Sequence, residues 1–249
     1  MLMGYGDLNL PHDVPANEFL TIEGKKLSTS HNWAVWVSDY LSRYDPDPLR
    51  YLLSINMPET GDTDFSWREF VRRNNNELVA TYGNLVHRVL TFVYRNFDGG
   101  VPVPGELDSR SQGVIEQAKD TLRITGGYLY NCHFKEAIKA AMYLAHQANR
   151  YLDEKSPWKV IRKDRQASAT ALYIAISVLS ALRIALYPFL PFSSQRLHQL
   201  LGFGGSVEND GWQLRLPLPG QRLPPPEPLF SKLDEELVAK ETAQLGHAQ

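Results

Sequence analysis

Residues 65–100 constrain the fold of this chain more than any other stretch. They read FSWREFVRRNNNELVATYGNLVHRVLTFVYRNFDGG, in which Leu78, Tyr82, Leu85, Val89, Phe92 and Asn96 recur every three or four residues. That spacing lines one side of an α-helix, and Val79, Val86, Leu90 and Val93 widen the stripe. At roughly 100° per residue, Arg73, Glu77, Asn84, Arg88 and Arg95 fall on the opposite side. A long helix with one core face and one face of hydrogen-bonding groups is expected. Such a polar face is ordinarily just solvated.

The chain has 249 residues with 43% apolar side chains, enough for one large domain or two smaller ones with a real core. A single cysteine, Cys132, excludes a disulfide framework and a cysteine-cluster zinc site, and fits a reducing compartment, by default the cytoplasm. No charged-then-apolar leader opens it, and Ser, Arg and Pro interrupt the most apolar run, 169–192, so neither secretion nor membrane spanning is indicated. The seven histidines have no paired carboxylate spacing, so no metal site is assigned. A net charge of −2 argues against general polyanion binding, and any nucleic-acid contact must be a local patch.

In chain order, Leu10-Pro11 and Val14-Pro15 force extended backbone, and 17–22 reads as a strand turned by Glu23-Gly24. Lys26-Leu27-Ser28-Thr29-Ser30 is then a polar loop whose ammonium and hydroxyl donors suit a phosphate chain, although such composition is common in loops. Residues 32–41 have helical spacing, with Trp33, Val37, Tyr40 and Leu41 as the core stripe. Asp47 is a natural N-cap for a second helix with Pro48 in its first turn, and 56–64 is a polar linker. Beyond the long helix, 99–104 is expected as an exposed loop. Helices follow from about Asp108, with a bend at Gly126-Gly127, and over 134–152. Ser156 is positioned to cap a further helix with Pro157 first, leaving Trp158 at a corner, where a lone tryptophan ordinarily plugs the core. Lys155, Lys159, Arg162, Lys163 and Arg165 cluster around it. Residues 169–187 are apolar nearly all round, as a buried central helix must be. A short helix to Leu201, an extended segment at 212–218, a proline-rich strap at 223–228 and a terminal helix over 233–241 complete the reading.

The loop Lys26-Leu27-Ser28-Thr29-Ser30, between LPHDVPANEFLTIEGK and DPDPLRYLL, resembles the second class I signature of methionyl-tRNA synthetases, usually Lys-Met-Ser-Lys-Ser. Leu27 and Thr29 depart from it, and Thr29 removes one positive charge expected on the phosphates. The resemblance runs to about Gly202. It implies that Lys26, Ser28, Thr29 and Ser30 face the ATP phosphates. Asn84 and Arg88 match the family's pair that reads the anticodon cytosine, and Pro157-Trp158 matches its base-stacking motif. Stacking with edge reading is how unpaired bases are recognised, and Lys159, Arg162 and Lys163 would then hold phosphates.

The implied fold is mainly α: a helical-bundle anticodon-binding domain at 59–203, preceded at 1–58 by a short α/β remnant of the class I catalytic domain and followed at 204–249 by a strap and terminal helix. The implied function is that of the carboxy-terminal part of a cytoplasmic methionine–tRNA ligase, binding the anticodon stem-loop of the methionine tRNA. ATP with magnesium, and methionine, would belong to the full-length enzyme. No His-Ile-Gly-His-like string and no strand with a Gly-rich turn opens the chain, so it is expected to bind no cofactor alone and to be inactive alone. The rivals are the matching part of a class I synthetase for cysteine, leucine or valine, against which Asn84, Arg88 and Pro157-Trp158 argue, and a non-catalytic helical scaffold protein.

Overall fold

The structure, a computed structural model, describes residues 6, 9 and 11–246. Leu10 of the expected extended opening and His247 lie outside the described residues. Two apolar clusters organise the rest.

The smaller cluster is built on a three-stranded sheet of order β2-β1-β3, with β1 at Leu20–Ile22, β2 at Lys25–Lys26 and β3 at Thr63–Phe65. Glu23 and Gly24 both take positive φ, as a two-residue hairpin requires, and pair Thr21 with Lys26. β3 lies where a polar linker was expected and runs parallel to β1, pairing Ile22 with Phe65. Asp64 locks this register by accepting from the Gly24 amide at 2.8 Å and the Thr21 hydroxyl at 2.5 Å.

Helices α1 (Val37–Leu41) and α2 (Pro46–Ile55) connect β1–β2 to β3. α1 is a little over one turn, so its expected stripe does not form: Tyr40 is buried, Trp33 is half-buried, and Val37 and Leu41 are exposed. Asp45, not Asp47, stands at the N-cap of α2, with Pro46 leading. Asp47 is buried, and its Oδ2 accepts from the Ser193 amide at 2.6 Å, capping the helix Pro191–Leu200 from outside.

The long helix runs unbroken over three segments: α3 (Trp67–Arg73), a π-helical stretch (Asn74–Gly83) and α4 (Asn84–Asn96). Leu78, Tyr82, Leu85 and Val89 are buried as the spacing demands. Bonding five residues back puts more residues in each turn, so the wheel drawn at the α-helical angle slips through the middle of the helix. Arg73 and Glu77 accordingly leave the solvated face. They are half-buried and paired at 3.0 Å, and Tyr51 donates to Glu77 at 2.5 Å. A Cβ on Gly83 would stand 2.9 Å from the Leu78 carbonyl and 3.2 Å from the Phe230 ring, so only glycine lets the strap close here.

α5 (Ser109–Tyr130), α6 (Phe134–Lys155), the single turn α7 (Pro157–Val160), α8 (Arg165–Ala185) and α9 (Pro191–Leu200) complete the larger cluster. α8 is long and apolar enough to cross a membrane, and most of it is enclosed by α4, α5, α6, α7 and α9. α4 and α5, consecutive in the chain, are not a packed pair, and both lie on α6 and α8 instead. The segment joining them must cross the bundle, which is why Val101 and Pro102 are buried where an exposed loop was expected. α5 passes straight through Gly126-Gly127. The absent side chain of Gly126 admits the Trp212 indole, which donates to the Leu122 carbonyl at 2.8 Å.

No strand forms at 212–218, the expected extended segment. The strap is instead tied to the crossing loop: the Val101 amide bonds the Gln221 carbonyl, and the Leu223 amide bonds that of Gly99. Leu223, Leu229 and Phe230 bury in the larger cluster, whereas the last helix, α10 (Glu236–Thr242), packs on α3 and brings Leu245 into the smaller one. The smaller cluster therefore draws on both sides of the division expected at residue 58, and on the chain's far end.

A buried ionic clasp fastens the segment after α9. Arg183, fully buried, pairs with Asp210 at 2.6 Å, and Arg215 holds the other oxygen at 2.7 Å. The two guanidiniums lie over the Phe203 ring at 4.5 and 4.4 Å. His198 is fully buried; burial, with help from the Arg183 charge, pushes its pKa below the ordinary value. Neutral, it accepts from Arg183 through Nδ1 at 2.9 Å and donates through Nε2 to the Gly204 carbonyl at 3.1 Å.

Asp210→Ala strands a buried cation and is expected to cost about 3–5 kcal/mol in a urea titration. Asp108→Ala removes an exposed cap and is expected to cost about 1 kcal/mol. Lys155, and then the Ser111 hydroxyl and amide, hold the Asp108 carboxyl well below the usual range. Its stabilising effect is therefore present above the unfolded pKa, near about 4, and disappears as the pH falls through the lower folded value. Parent and Asp108→Ala stabilities should converge on acidification and stay apart at neutral pH.

Candidate nucleic-acid interface

Arg88 and Trp158 come together from different parts of the chain. Arg88 follows Asn84 by one turn on α4, and Trp158 is the second residue of α7. What places the indole is the end of α6. Ser156 takes a left-handed conformation, φ 42°, which stops the helix and turns the chain into Pro157. Ser156 occupies the expected cap position without capping: its hydroxyl points back to the Asp153 carbonyl at 2.8 Å. Pro157 is buried, and its carbonyl accepts from the buried Ser168 hydroxyl at 3.1 Å, which fixes the turn to α8. Asp164 then caps α8, accepting from the Ala167 amide at 2.8 Å.

The Trp158 ring is half-buried, so it is neither a core plug nor a free platform. Phe92 meets it in a T-shaped contact with centroids 6.3 Å apart, and the Arg88 guanidinium lies 4.3 Å from its centroid. Arg88 is itself about one-third exposed. Its Nη2 donates to the Asn149 Oδ1 at 3.2 Å, Nη1 lies 3.8 Å from the Asp153 carboxylate, and Nε is shielded without a hydrogen-bond partner. Asn84 is exposed and makes no side-chain hydrogen bond among the described residues. The result is a ring, a cation and an amide offered along one edge of the bundle.

The basic cluster divides. Lys155 pairs with Asp108, and Arg165 donates to the Asn96 carbonyl at 2.6 Å while lying 4.6 Å over the Phe97 ring. Lys159, Arg162 and Lys163 are exposed and have no ion pair among the described residues. They are the three cations of that cluster left for an anionic partner.

The loop after β1 forms a second, separate group. Lys26 is exposed in β2, and Ser28 is pinned by a backbone bridge to Trp33. Thr29 and Ser30 are exposed at the tip. His31, which sequence reading left among the scattered histidines, brings Nδ1 to 2.9 Å from the Ser28 hydroxyl and 3.4 Å from that of Ser30. The neighbouring Lys25 sits 4.2 Å over the Trp33 ring, leaving Lys26 as the projecting ammonium. Among the described residues no group of three or more His, Cys, Asp or Glu side chains is gathered as a metal would need.

Residues 101–248 match the family described as the anticodon binding domain of methionyl tRNA ligase, and residues 1–90 that of class I tRNA synthetases (M). This chain belongs to the methionyl-tRNA synthetase family. Family relatives include the methionine–tRNA ligase of Dehalococcoides mccartyi, 61% identical over 246 residues, and that of Thermomicrobium roseum, 46% identical over 271. The matches take in 99% and 98% of this chain but only 44% and 46% of those relatives, so the chain spans less than half their length. Among solved structures, the Mycobacterium tuberculosis methionyl-tRNA synthetase in its apo form superposes with a TM-score of 0.80 at 28% identity, over 94% of this chain and 46% of that one. The same enzyme in complex with methionyl-adenylate also gives 0.80, at 29% identity, over 92% of this chain and 46% of that one.

Asn149 and Asp153 are the site neighbours that sequence reading missed. The available signal was an amide, Asn149, set between Ala148 and Leu152 on the small-residue stripe of α6, where only an apolar side chain is needed for packing. Trp158→Ala removes a T-shaped contact and a cation–π contact from a half-buried site, and is expected to cost about 1–2.5 kcal/mol in denaturant titration while the helical spectrum persists.

Proposed function

We propose that this chain is the carboxy-terminal part of a cytoplasmic methionine–tRNA ligase and that it reads the anticodon of the methionine tRNA. In this reading Trp158 stacks on an unpaired anticodon base while Arg88 and Asn84 hydrogen-bond the polar edge of the cytosine. Pro157 fixes the ring, and Lys159, Arg162 and Lys163 meet the phosphates. The convergence of Arg88 and Trp158 from α4 and α7 carries the proposal, because the chemistry of base recognition needs a ring and an edge-reading donor side by side.

Lys26 and the hydroxyls of Ser28, Thr29 and Ser30 form the second half of the proposal, as donors to the ATP phosphates when methionyl-adenylate is made. A lysine ammonium with clustered hydroxyls suits an anionic chain, and one residue after β2 the half-buried Ser28 leads into the exposed turn of Thr29 and Ser30. ATP with magnesium, and methionine, enter with the rest of the enzyme. The 249 residues alone are expected to show no methionine-dependent ATP–pyrophosphate exchange, and appreciable exchange by the purified chain would contradict this assignment.

The recognition half is tested by titrating the parent and four variants with matched and mismatched anticodon stem-loops at two salt concentrations. Trp158→Ala should weaken binding by at least the lower end of about 1–3 kcal/mol with little change in salt dependence. Arg88→Gln should reduce discrimination against an altered first anticodon base by a similar amount, about 1–3 kcal/mol. Lys163→Gln should weaken all stem-loops alike and flatten the salt slope by less than about one unit. If Arg88→Gln and an Asn84 substitution leave both affinity and discrimination unchanged, the polar side of α4 is only a solvated face.

A further inference from the structure

We infer that Asn149 of α6 is a positioning residue for Arg88, the side chain that sets the orientation of the base-reading guanidinium; the inference rests on the anticodon reading above.

A long cationic side chain at a surface needs a fixed point if it is to read one base edge rather than sample many rotamers. Arg88 has three neighbours that could supply it, and their geometry separates them. The Asp153 carboxylate is 3.8 Å away and 70% exposed, so water and salt screen its pull. The Trp158 ring fixes the height of the guanidinium over its plane but exerts little control over rotation within that plane. Asn149 is half-buried and makes the hydrogen bond from the Arg88 side chain, Nη2 to Oδ1 at 3.2 Å, so it specifies which edge of the fork turns inward.

Asn149 is itself held. Its Nδ2 donates to two main-chain carbonyls at 3.2 Å, that of Ala145 one turn back on α6 and that of Thr81 on the facing helix. Thr81 lies in the π-helical stretch, where the Asn84 amide bonds Val79 and the Thr81 hydroxyl bonds Asn76, each five residues back. The π-helical register thus lies immediately before the helix that carries Asn84 and Arg88, and one of its carbonyls receives Asn149. With Nδ2 engaged on two backbone acceptors the amide has no freedom to flip, and its oxygen must face Arg88. The π stretch, α6 and the reading face of α4 are joined through a single side chain.

The shielded, unpartnered Nε of Arg88 shows that the guanidinium is not fully satisfied in the free protein. An arriving base therefore meets an arginine that is oriented but not saturated.

The test uses the 249-residue chain with the matched methionine anticodon stem-loop and one altered at the first anticodon base. Folding of each variant is checked by its helical spectrum and melting temperature, and the quantity read is the ratio of the two dissociation constants. Asn149→Ala should lower that ratio about threefold or more. The double variant Asn149→Ala with Arg88→Gln should discriminate no worse than Arg88→Gln alone, since the amide acts only through the arginine. Should Asn149→Ala melt at the assay temperature, Asn149→Gln, whose amide sits one methylene further out, replaces it with the same loss expected. An unchanged ratio in the folded Asn149 variant, or additive losses in the double variant, overturns the inference while Arg88→Gln still discriminates poorly. If Arg88→Gln itself leaves the ratio unchanged, the anticodon reading has failed, and the role of Asn149 fails with it.

Discussion

A helix that is apolar on every side has to be surrounded, and α8 imposes that requirement on everything after residue 84. Nearly all of its residues from Ser168 to Ala185 are buried, so α4, α5, α6, α7 and α9 are all placed by the need to cover it. Its one buried cation, Arg183, is tolerable only because His198 of α9 and, from the chain beyond that helix, Asp210 and the Phe203 ring come to it. The clasp is thus a consequence of enclosing α8 with a charge still on it.

The proposed recognition edge inherits its geometry from the same packing. α7 is too short to hold its own direction. It is steadied by the left-handed turn at Ser156 and by the Ser168 hydroxyl reaching over from α8, so Trp158 is presented by the core helix through one intermediary. Arg88 is presented by α4, the other flank of the same core. Rigidity in the bundle is converted into a fixed distance between ring and cation, the property a base-reading surface requires.

Much of this was legible in the residues. The apolar stripes of the long helix, of α6 and of α8 announced helices that formed where the spacing put them, because burial of a three-to-four repeat has no other regular solution. What escaped were features decided by partners distant in sequence. Three-residue β3 carries no alternation long enough to read. Asp47 looked like a cap for its own helix and caps α9 from 146 residues away. The Gly- and Pro-rich crossing loop at 99–104 is expected to be exposed, yet Val101 is core because α4 and α5 pack on the same pair of helices without packing on each other. The π register was hidden as well, since the stripe on either side of it still reads as an α-helix. For the site, the residue types of Arg88 and Trp158 could be found from their resemblance to a family motif. The amide that orients Arg88 could not, because its role exists only where two helices meet.

Leu245, near the end of the described chain, completes a cluster whose other buried members lie between Ile22 and Val71. During synthesis on the ribosome the amino-terminal part of a chain ordinarily begins to fold first. Here the sheet and its first helices emerge without the residues that close their apolar face, and Trp67 and Phe70 must wait through the whole bundle for α10. The larger cluster, complete once Phe230 has been added, is free to assemble earlier. The smaller cluster therefore closes only once residue 245 has been made, whereas the larger one has its last buried member at Phe230: the first part of the described chain is completed by its last.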